Sequence, residues 1–562
     1  MKPAAHWWPM LGLAVFVAAS ASSVAWAGLV GGNFQISGPG PWFPDVAYNN
    51  VDHKYLVVYP YYGMNPARIW GRLVTADGVA EASEFPISES GGLWPAVAYN
   101  PSTGEFLVTW DDQRGEPYAI YGQRVRGSDG SLAGGNFKIS DALGWRSTVA
   151  CSSAAAGYCY LVAWWDNTSE IRAQRVSAAG ALLGSNVNLS NNSAFSGYPA
   201  VGYGLSGNQF LVTWNHEPPG NDNFGLIRGI RVDALTGNPL GVAFDLTGQG
   251  TEYHSNIAYD PGHARWLVQF SQSNAGRSSD QYGIFVNTSG TLGEAVTIAA
   301  TTAFEGDTIS GGDIAFEPGI GRYLGGFHSE PESNGAAAHE LSASGLPVRG
   351  ITFLSYDEGG SVGVAADTDH GRFLAVWQRP VGGTYVIFGQ LYEPLHPVIN
   401  LAAVPGIRTA TLSWTNPSTP DFAATVIRSK TSGYPTRPDD GQLVVEKANT
   451  PGSIDSYVHA ELLGGVRMYY AAFAHDASAV WSDPVATSAI PRGLGDFDHD
   501  NDVDQDDFGH FQQCLSGDGS ARSADCIDAD FDADSDVDQG DLAAFIRCLS
   551  GAGSLAQANC DE

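Results

Sequence analysis

The chain has 562 residues, 69 of them glycine, with 11% aromatic and only 16% charged residues. That length exceeds one ordinary core and predicts several domains, and the mixture predicts a mainly β chain with many tight turns. The net charge of -32 argues against a nucleic-acid partner, because phosphate recognition needs clustered Lys and Arg.

The first 27 residues carry the pattern of a secretory signal. Lys2 supplies a positive start, Leu11 to Ala19 an apolar segment, and Ala25-Trp26-Ala27 a small-x-small cleavage pattern. The apolar run is too short to span a bilayer comfortably, and no later stretch is a candidate to cross one. The expected location is outside the cell or at its surface.

From residue 28 to 394 one unit recurs. Its first strand is anchored at Val46, Val97, Val149, Val201, Ile257, Ile314 and Val364, at spacings of 51, 52, 52, 56, 57 and 50. A second strand follows each anchor, as in "YLVVY" at Tyr55, "FLVTW" at Phe106 and "FLAVW" at Phe373. Hairpin signals such as "NPSTGE" separate the two. Four short strands per repeat of about 50 residues match a propeller blade. The seventh repeat stops after "VIFGQLY", Val386 to Tyr392, and "FQIS", Phe34 to Ser37, stands spare at the start. Pairing the two closes a seven-bladed β-propeller and removes an open edge. A β-solenoid is the alternative fold.

Five repeats place an aromatic three or four residues before the anchor: Trp42, Trp94, Trp145, Tyr198 and Tyr253. On a channel rim they would suit the faces of sugars. Packing between blades is the commoner reason for such a repeated position. No catalytic constellation is legible. There is no sialidase-type Asp box, no nucleophile elbow and no HExxH. A glycosidase would need two carboxylates at a set separation, which sequence does not reveal.

Six cysteines in an exported chain suggest disulfides. They form three local pairs: Cys151 with Cys159 across a hairpin, Cys514 with Cys526, and Cys548 with Cys560. No CxxC or Cys/His spacing suggests a metal-binding thiolate.

After Pro394 the period ends. "TATLSWTNPS" around Trp414 and "LLGGVRMYYAAFAHDASAVWS" from Leu462 follow. This segment, 396 to 491, resembles a fibronectin type III domain. Trp414 matches the family's B-strand Trp, and Leu463 with Tyr469 match its leucine and tyrosine corner. The resemblance implies a β-sandwich spacer.

From Gly493 to the end, 18 acidic residues face 2 arginines. "GDFDHDNDVDQDDF" at Gly495 returns 34 residues later as "ADFDADSDVDQGDL". Numbered as calcium loops, Asp496, Asp498, Asp500, Asp502 and Asp507 fill positions 1, 3, 5, 7 and 12. Asp530, Asp532, Asp534, Asp536 and Asp541 fill the same positions in the second copy. Val503 and Val537 at position 8 suit a short pairing between the loops. A helical pattern follows each loop. Position 6, usually Gly in a left-handed turn, is Asn501 and Ser535. A solvated acidic tail would have no reason to keep this register twice.

This duplicated loop-helix unit, 493 to 562, resembles a type I dockerin. The resemblance implies two bound calcium ions and docking onto a cohesin-like module, usually in polysaccharide degradation. The family's partner-choosing positions are Gln505-Asp506 and Gln539-Gly540 here, without the hydroxyl residues often found there.

Three functions follow as expectations. One is a secreted binding protein for carbohydrate or protein, anchored by its calcium module. Another is a propeller glycoside hydrolase or lyase carried by the same module. A structural adhesin is the third.

Overall fold

The computed structural model describes residues 28–62, 66–114, 118–191, 194–217, 225–248, 251–273, 279–300, 308–310, 312–330, 335–357, 359–500, 502–554 and 560. The signal-like segment 1–27 lies outside the described residues. No helix among them is long and apolar enough to cross a membrane.

The chain is mainly β, built of many four-stranded antiparallel sheets. In each of four successive sheets the strands lie side by side in chain order. They start at Asp45–Asn49, Leu93–Asn100, Trp145–Cys151 and Phe195–Gly204. The next two groups start at Thr251–Asp260 and Ile314–Glu317. They are joined into one nine-stranded sheet by a parallel contact between Ser279 and Thr308. Second strands such as Glu105–Asp112 are buried at every residue, with Trp110, Trp164, Trp214, Trp266 and Trp377 among the largest buried side chains. A strand covered on both faces tolerates a continuous apolar run, which is why "FLVTW" does not alternate.

The first strands of these groups touch in sequence, each against the next. Gly363–Asp367 then packs back against Asp45–Asn49. The sheet holding Gly363–Asp367 takes its fourth strand from the far end of the chain. Leu29–Gln35 pairs with Thr384–Tyr392, Leu29 opposite Tyr392 and Gln35 opposite Phe388.

Cys151 and Cys159 are not bonded. The bridge expected there fails by one residue. Cys151 stands opposite Tyr160, while Cys159 accepts from Ser152 N–H at 2.8 Å. Neighbours along a strand point to opposite faces. Cys159 therefore enters the cluster around Trp214 and Phe210, and Cys151 packs against the cluster holding Tyr160 and Trp164.

Beyond residue 395 two sheets face each other. One holds Ile399–Gly406, Thr409–Thr415 and Ile454–His459. The other holds Gln442–Ala448, Phe422–Lys430, Met468–Asp476 and Val485–Ala489. Leu412, Trp414, Ile427, Tyr470 and Leu462 fill the space between. The inward Leu and Tyr are thus Leu462 and Tyr470. Leu463 is 42% exposed, and Tyr469 lies against Tyr434 at 5.0 Å. The doublets Leu462-Leu463 and Tyr469-Tyr470 each offer two phases; strand register selects Tyr470, and the loop before that strand, tied by the Leu462 N–H to Arg408, turns Leu462 inward.

The C-terminal unit has two helices, α1 (Gln505–Cys514) and α2 (Gln539–Cys548). They pack through Phe511, Phe545, Val503 and Val537. Cys514–Cys526 and Cys548–Cys560 are disulfides, each tying a helix end to the segment that follows. Those bridges supplement a core too small to be robust alone.

Candidate functional site

Two places gather functional chemistry: a pocket where the first strands meet, and the acidic loops. The pocket has a backbone cause. Phe43, Trp94, Arg146, Tyr198 and His254 each lie three residues before their repeat's anchor, and all five have left-handed φ, between 43° and 53°. Residues other than Gly take this conformation at roughly 1–2 kcal/mol each. A bulge accompanies it. Register shifts fall between Leu93 and Ala96, Trp145 and Thr148, Gly197 and Ala200, and Tyr253 and Asn256. In the first repeat, Pro41 opposite Tyr61 and Asp45 opposite Val58 show the same slip. A bulge re-aims a side chain. Here it turns five side chains into one cavity of about 480 Å³. Gly312, Ser361 and Gly363 of the last two repeats leave it room.

Of the aromatic rim expected from the sequence, Trp94 and Tyr198 line this cavity. Trp42 is 37% exposed and packs edge-on to Tyr385 at 4.6 Å. Trp145 packs against Trp165. The side chain of Tyr253 lies outside the described residues. In those three repeats the cavity takes the next residue instead: Phe43, Arg146 and His254. The dipeptides Phe43-Pro44, Trp94-Pro95 and Tyr198-Pro199 were the available signal for that phase.

The guanidinium carbon of Arg146 lies 3.3 Å from the Trp94 ring centroid and 5.1 Å from that of Tyr198. Burial lowers its pKa, opposed by Tyr198 and by Asp111. Below it, Asp111 Oδ2 accepts the Arg146 backbone N–H at 2.9 Å. Asp111 is 3% exposed, and burial pushes its carboxyl up to about 7 against the pull of that N–H. His254 sits edge-on to Tyr198 at 4.8 Å. It stays open to the channel, but the surrounding wall, and then Arg146, push it down to about 4.

Across the cavity, Asp45 and Asp313 share a hydrogen bond. Asp45 also accepts the backbone N–H of Val46 and of Val97, each at 2.8 Å. Burial raises both carboxyls, and for Asp313 the charge of Asp45 adds to it. Two such acids cannot both ionise cheaply, so the pair holds one proton between them. Sequence patterning did not reveal this pair. Its members are 268 positions apart, and Gly363, between their repeats in the ring, contributes no side chain.

In the C-terminal unit each helix begins with a capping box, Asp504 with Asp507 and Asp538 with Asp541. Asp507 Oδ1 accepts from Phe497 N–H at 2.6 Å, and Asp541 Oδ1 from Phe531 N–H at 2.6 Å. Asp496, Asp498 and Asp500 bring one carboxylate oxygen each within 4.8 Å of one another. Asp502, Asp504 and Asp507 do the same, as do Asp530, Asp532 and Asp541, and Asp536, Asp538 and Asp541. Asp534 joins none of these groups. Asp504 and Asp538 were absent from the sequence-derived set, because cap and ligand position coincide there.

The loops differ. Arg522 Nε donates to Asp530 Oδ2 at 2.6 Å, a cation at the first position of the second loop. Ser535 takes the left-handed turn at φ 81°, and Asn501 lies outside the described residues. The valines do not pair with each other. Val503 exchanges bonds with Ser550 beyond α2, and Val537 with Ser516 beyond α1. The donor set suits a hard cation. Asp502, Asp530 and Asp536 each bury an Oδ1 with no hydrogen-bond partner among the described residues, a state that costs free energy unless a ligand relieves it.

No protein-family model matches this chain, and no curated protein matches it. Several solved structures are similar to parts of this chain at low identity. A fungal alcohol oxidase of the AA5 family, in complex with copper, is 10% identical with a TM-score of 0.42, covering 82% of this chain and 99% of that one. The Dos1 propeller is 11% identical at 0.36, over 64% and 94%. Polysaccharide lyase Uly1 is 8% identical at 0.43, over 67% and 94%.

Proposed function

We propose that this chain is a secreted modular protein. Residues 28–394 form a seven-bladed propeller that binds carbohydrate in its central pocket. Residues 396–491 form a fibronectin type III-like spacer, and residues 493–562 a dockerin-like module that anchors the protein. The observation that carries the binding assignment is the repeated left-handed bulge, which places five side chains in one cavity at a cost to the backbone. Backbone strain kept at the same place in five repeats, beside aromatic faces, suits sugar binding. Closure between Leu29–Gln35 and Thr384–Tyr392 supports the ring, and the two disulfides fit export.

Binding is favoured over glycoside hydrolysis. A glycosidase separates its carboxyl groups by about 5 Å or more. Asp45 and Asp313 are close enough to share a hydrogen bond, and their oxygens are partly committed to backbone N–H groups.

In the C-terminal module Asp496, Asp498, Asp500, Asp502 and Asp507 would hold one calcium ion, and Asp530, Asp532, Asp534, Asp536 and Asp541 the other. Calcium would supply positive charge to oxygens crowded at these loops. Gln505, Asp506, Gln539 and Gly540 are exposed at the helix starts, where a cohesin-like partner would read them.

The test is retention of the full chain on a polysaccharide panel, with reducing ends measured in parallel. Retention without release is the expected result. Release that Asp45→Asn or Asp313→Asn abolishes would make it an enzyme. Absence of retention on every polysaccharide would refute carbohydrate binding.

A further inference from the structure

We infer that the central pocket selects an acidic sugar, taking the carboxylate of a uronate on Arg146 with the sugar ring against Trp94 and Tyr198. This rests on the carbohydrate-binding reading above and narrows it.

Arg146 is the only Lys or Arg among the residues lining the cavity. Elsewhere in these sheets arginines meet carboxylates directly, as in Arg114–Asp112 at 2.8 Å, Arg124–Glu105 at 2.8 Å and Arg172–Asp166 at 2.7 Å. Arg146 does not. The carboxylate beneath it, Asp111, is engaged by the Arg146 backbone N–H, and the guanidinium itself rides on two aromatic rings. Its in-plane N–H fork is therefore free for a ligand among the described residues. A half-buried cation held by ring faces and by the nearby charge of Asp111, with no carboxylate on its own N–H groups, is incompletely compensated, and an incoming anion completes it. The planar fork matches a planar carboxylate with two parallel hydrogen bonds.

The backbone strengthens the case. Arg146 is held in a left-handed turn at φ 51°, in phase with Trp94 and Tyr198. The strain thus places the cation and the aromatic faces in the same layer of the channel. A sugar bearing a carboxylate on its ring offers the same combination, an apolar face and an adjacent anion. On the opposite wall burial and mutual repulsion of Asp45 and Asp313 disfavour a second negative charge facing the ligand. Asn256 and Ser361 offer neutral partners to its hydroxyls.

The test compares oligogalacturonate and alginate oligosaccharides with their carboxyl-reduced forms, and with a sulfated neutral oligosaccharide, by calorimetry on the full chain. At least one uronate oligosaccharide is expected to bind tenfold or more tighter than its reduced form. Arg146→Gln should remove that difference. Equal binding of acidic and reduced forms overturns the inference but leaves carbohydrate binding standing. Preference for the sulfated ligand alone overturns it too. Binding of none of them overturns the inference, and the polysaccharide panel then decides whether carbohydrate binding stands. The wild-type ligand comparison decides the matter even if Arg146→Gln does not fold. Arg146→Lys, which keeps charge without the fork, should retain only part of the preference.

Discussion

Arg146 lies face-on to Trp94, its guanidinium carbon 3.3 Å from the ring centroid, and the two come from adjacent repeats. The contact joins neighbouring sheets at the mouth of the channel and fixes the cation's plane. Removing either partner changes what the pocket presents without opening the core behind it.

Trp94→Ala tests the aromatic platform. Loss of the ring should weaken polysaccharide retention about tenfold, the value of one stacking or cation–π partner in a binding site. Affinity electrophoresis checks it, with the melting temperature expected to move little. Undiminished retention would show that Trp94 is only packing.

Asp111 gives a pH prediction. Its folded pKa, about 7, lies above the ordinary Asp value, so the folded state binds the proton more tightly. The stability it contributes is fully present below about pH 4 and is lost as pH rises through 7. Over that window the loss should run at up to about 1.4 kcal/mol per pH unit. Asp111→Asn keeps an oxygen for the Arg146 N–H and should flatten this slope in denaturation curves taken from pH 5 to 8.

Calcium should raise the melting temperature of the C-terminal unit in the full chain, and a chelator should reverse it. Asp507→Asn should remove one binding phase and Asp541→Asn the other. Arg522→Gln should tighten the second, because Arg522 already neutralises Asp530. Calorimetric titration that shows no calcium response in wild type would rule the assignment out.

Two thiols should be countable. Alkylation of the denatured, unreduced protein should label Cys151 and Cys159 alone, detected by peptide mass. Label on none would mean that the hairpin bridge forms after all.

Arg349 makes the joint between the ring and the sandwich. Its Nε lies 3.0 Å from Glu340, and its Nη1 lies 3.8 Å from Asp421 and 4.0 Å from Asp476. Arg349→Met leaves the buried Asp476 and the partly buried Asp421 without this cation, and Glu340 with Arg322. It should cost about 3 kcal/mol in chemical denaturation, the scale for orphaning a buried charge.

The strands were legible because their signals are local: hairpin turns, buried runs and a period near 50. What the sequence left ambiguous was phase. The rim was read at Trp42, Trp145 and Tyr253, whereas the cavity takes Phe43, Arg146 and His254. One bulge residue shifts each strand start, and no apolar pattern records it. Tyr469 against Tyr470, Leu463 against Leu462, and Cys151 against Cys159 failed by the same single step. The acidic loops were legible because their spacing is set by covalent chain geometry. Asp45 and Asp313 were not, because only ring closure brings them together.

That closure also sets a schedule. Ser37 receives the backbone N–H of Ile387 across 350 residues of intervening chain. The strand made first therefore waits for a partner made almost last. At a synthesis rate of 5–20 residues per second the wait is roughly 20–70 s. Throughout it Leu29–Gln35 stays an unpaired strand, the kind of edge that recruits other chains.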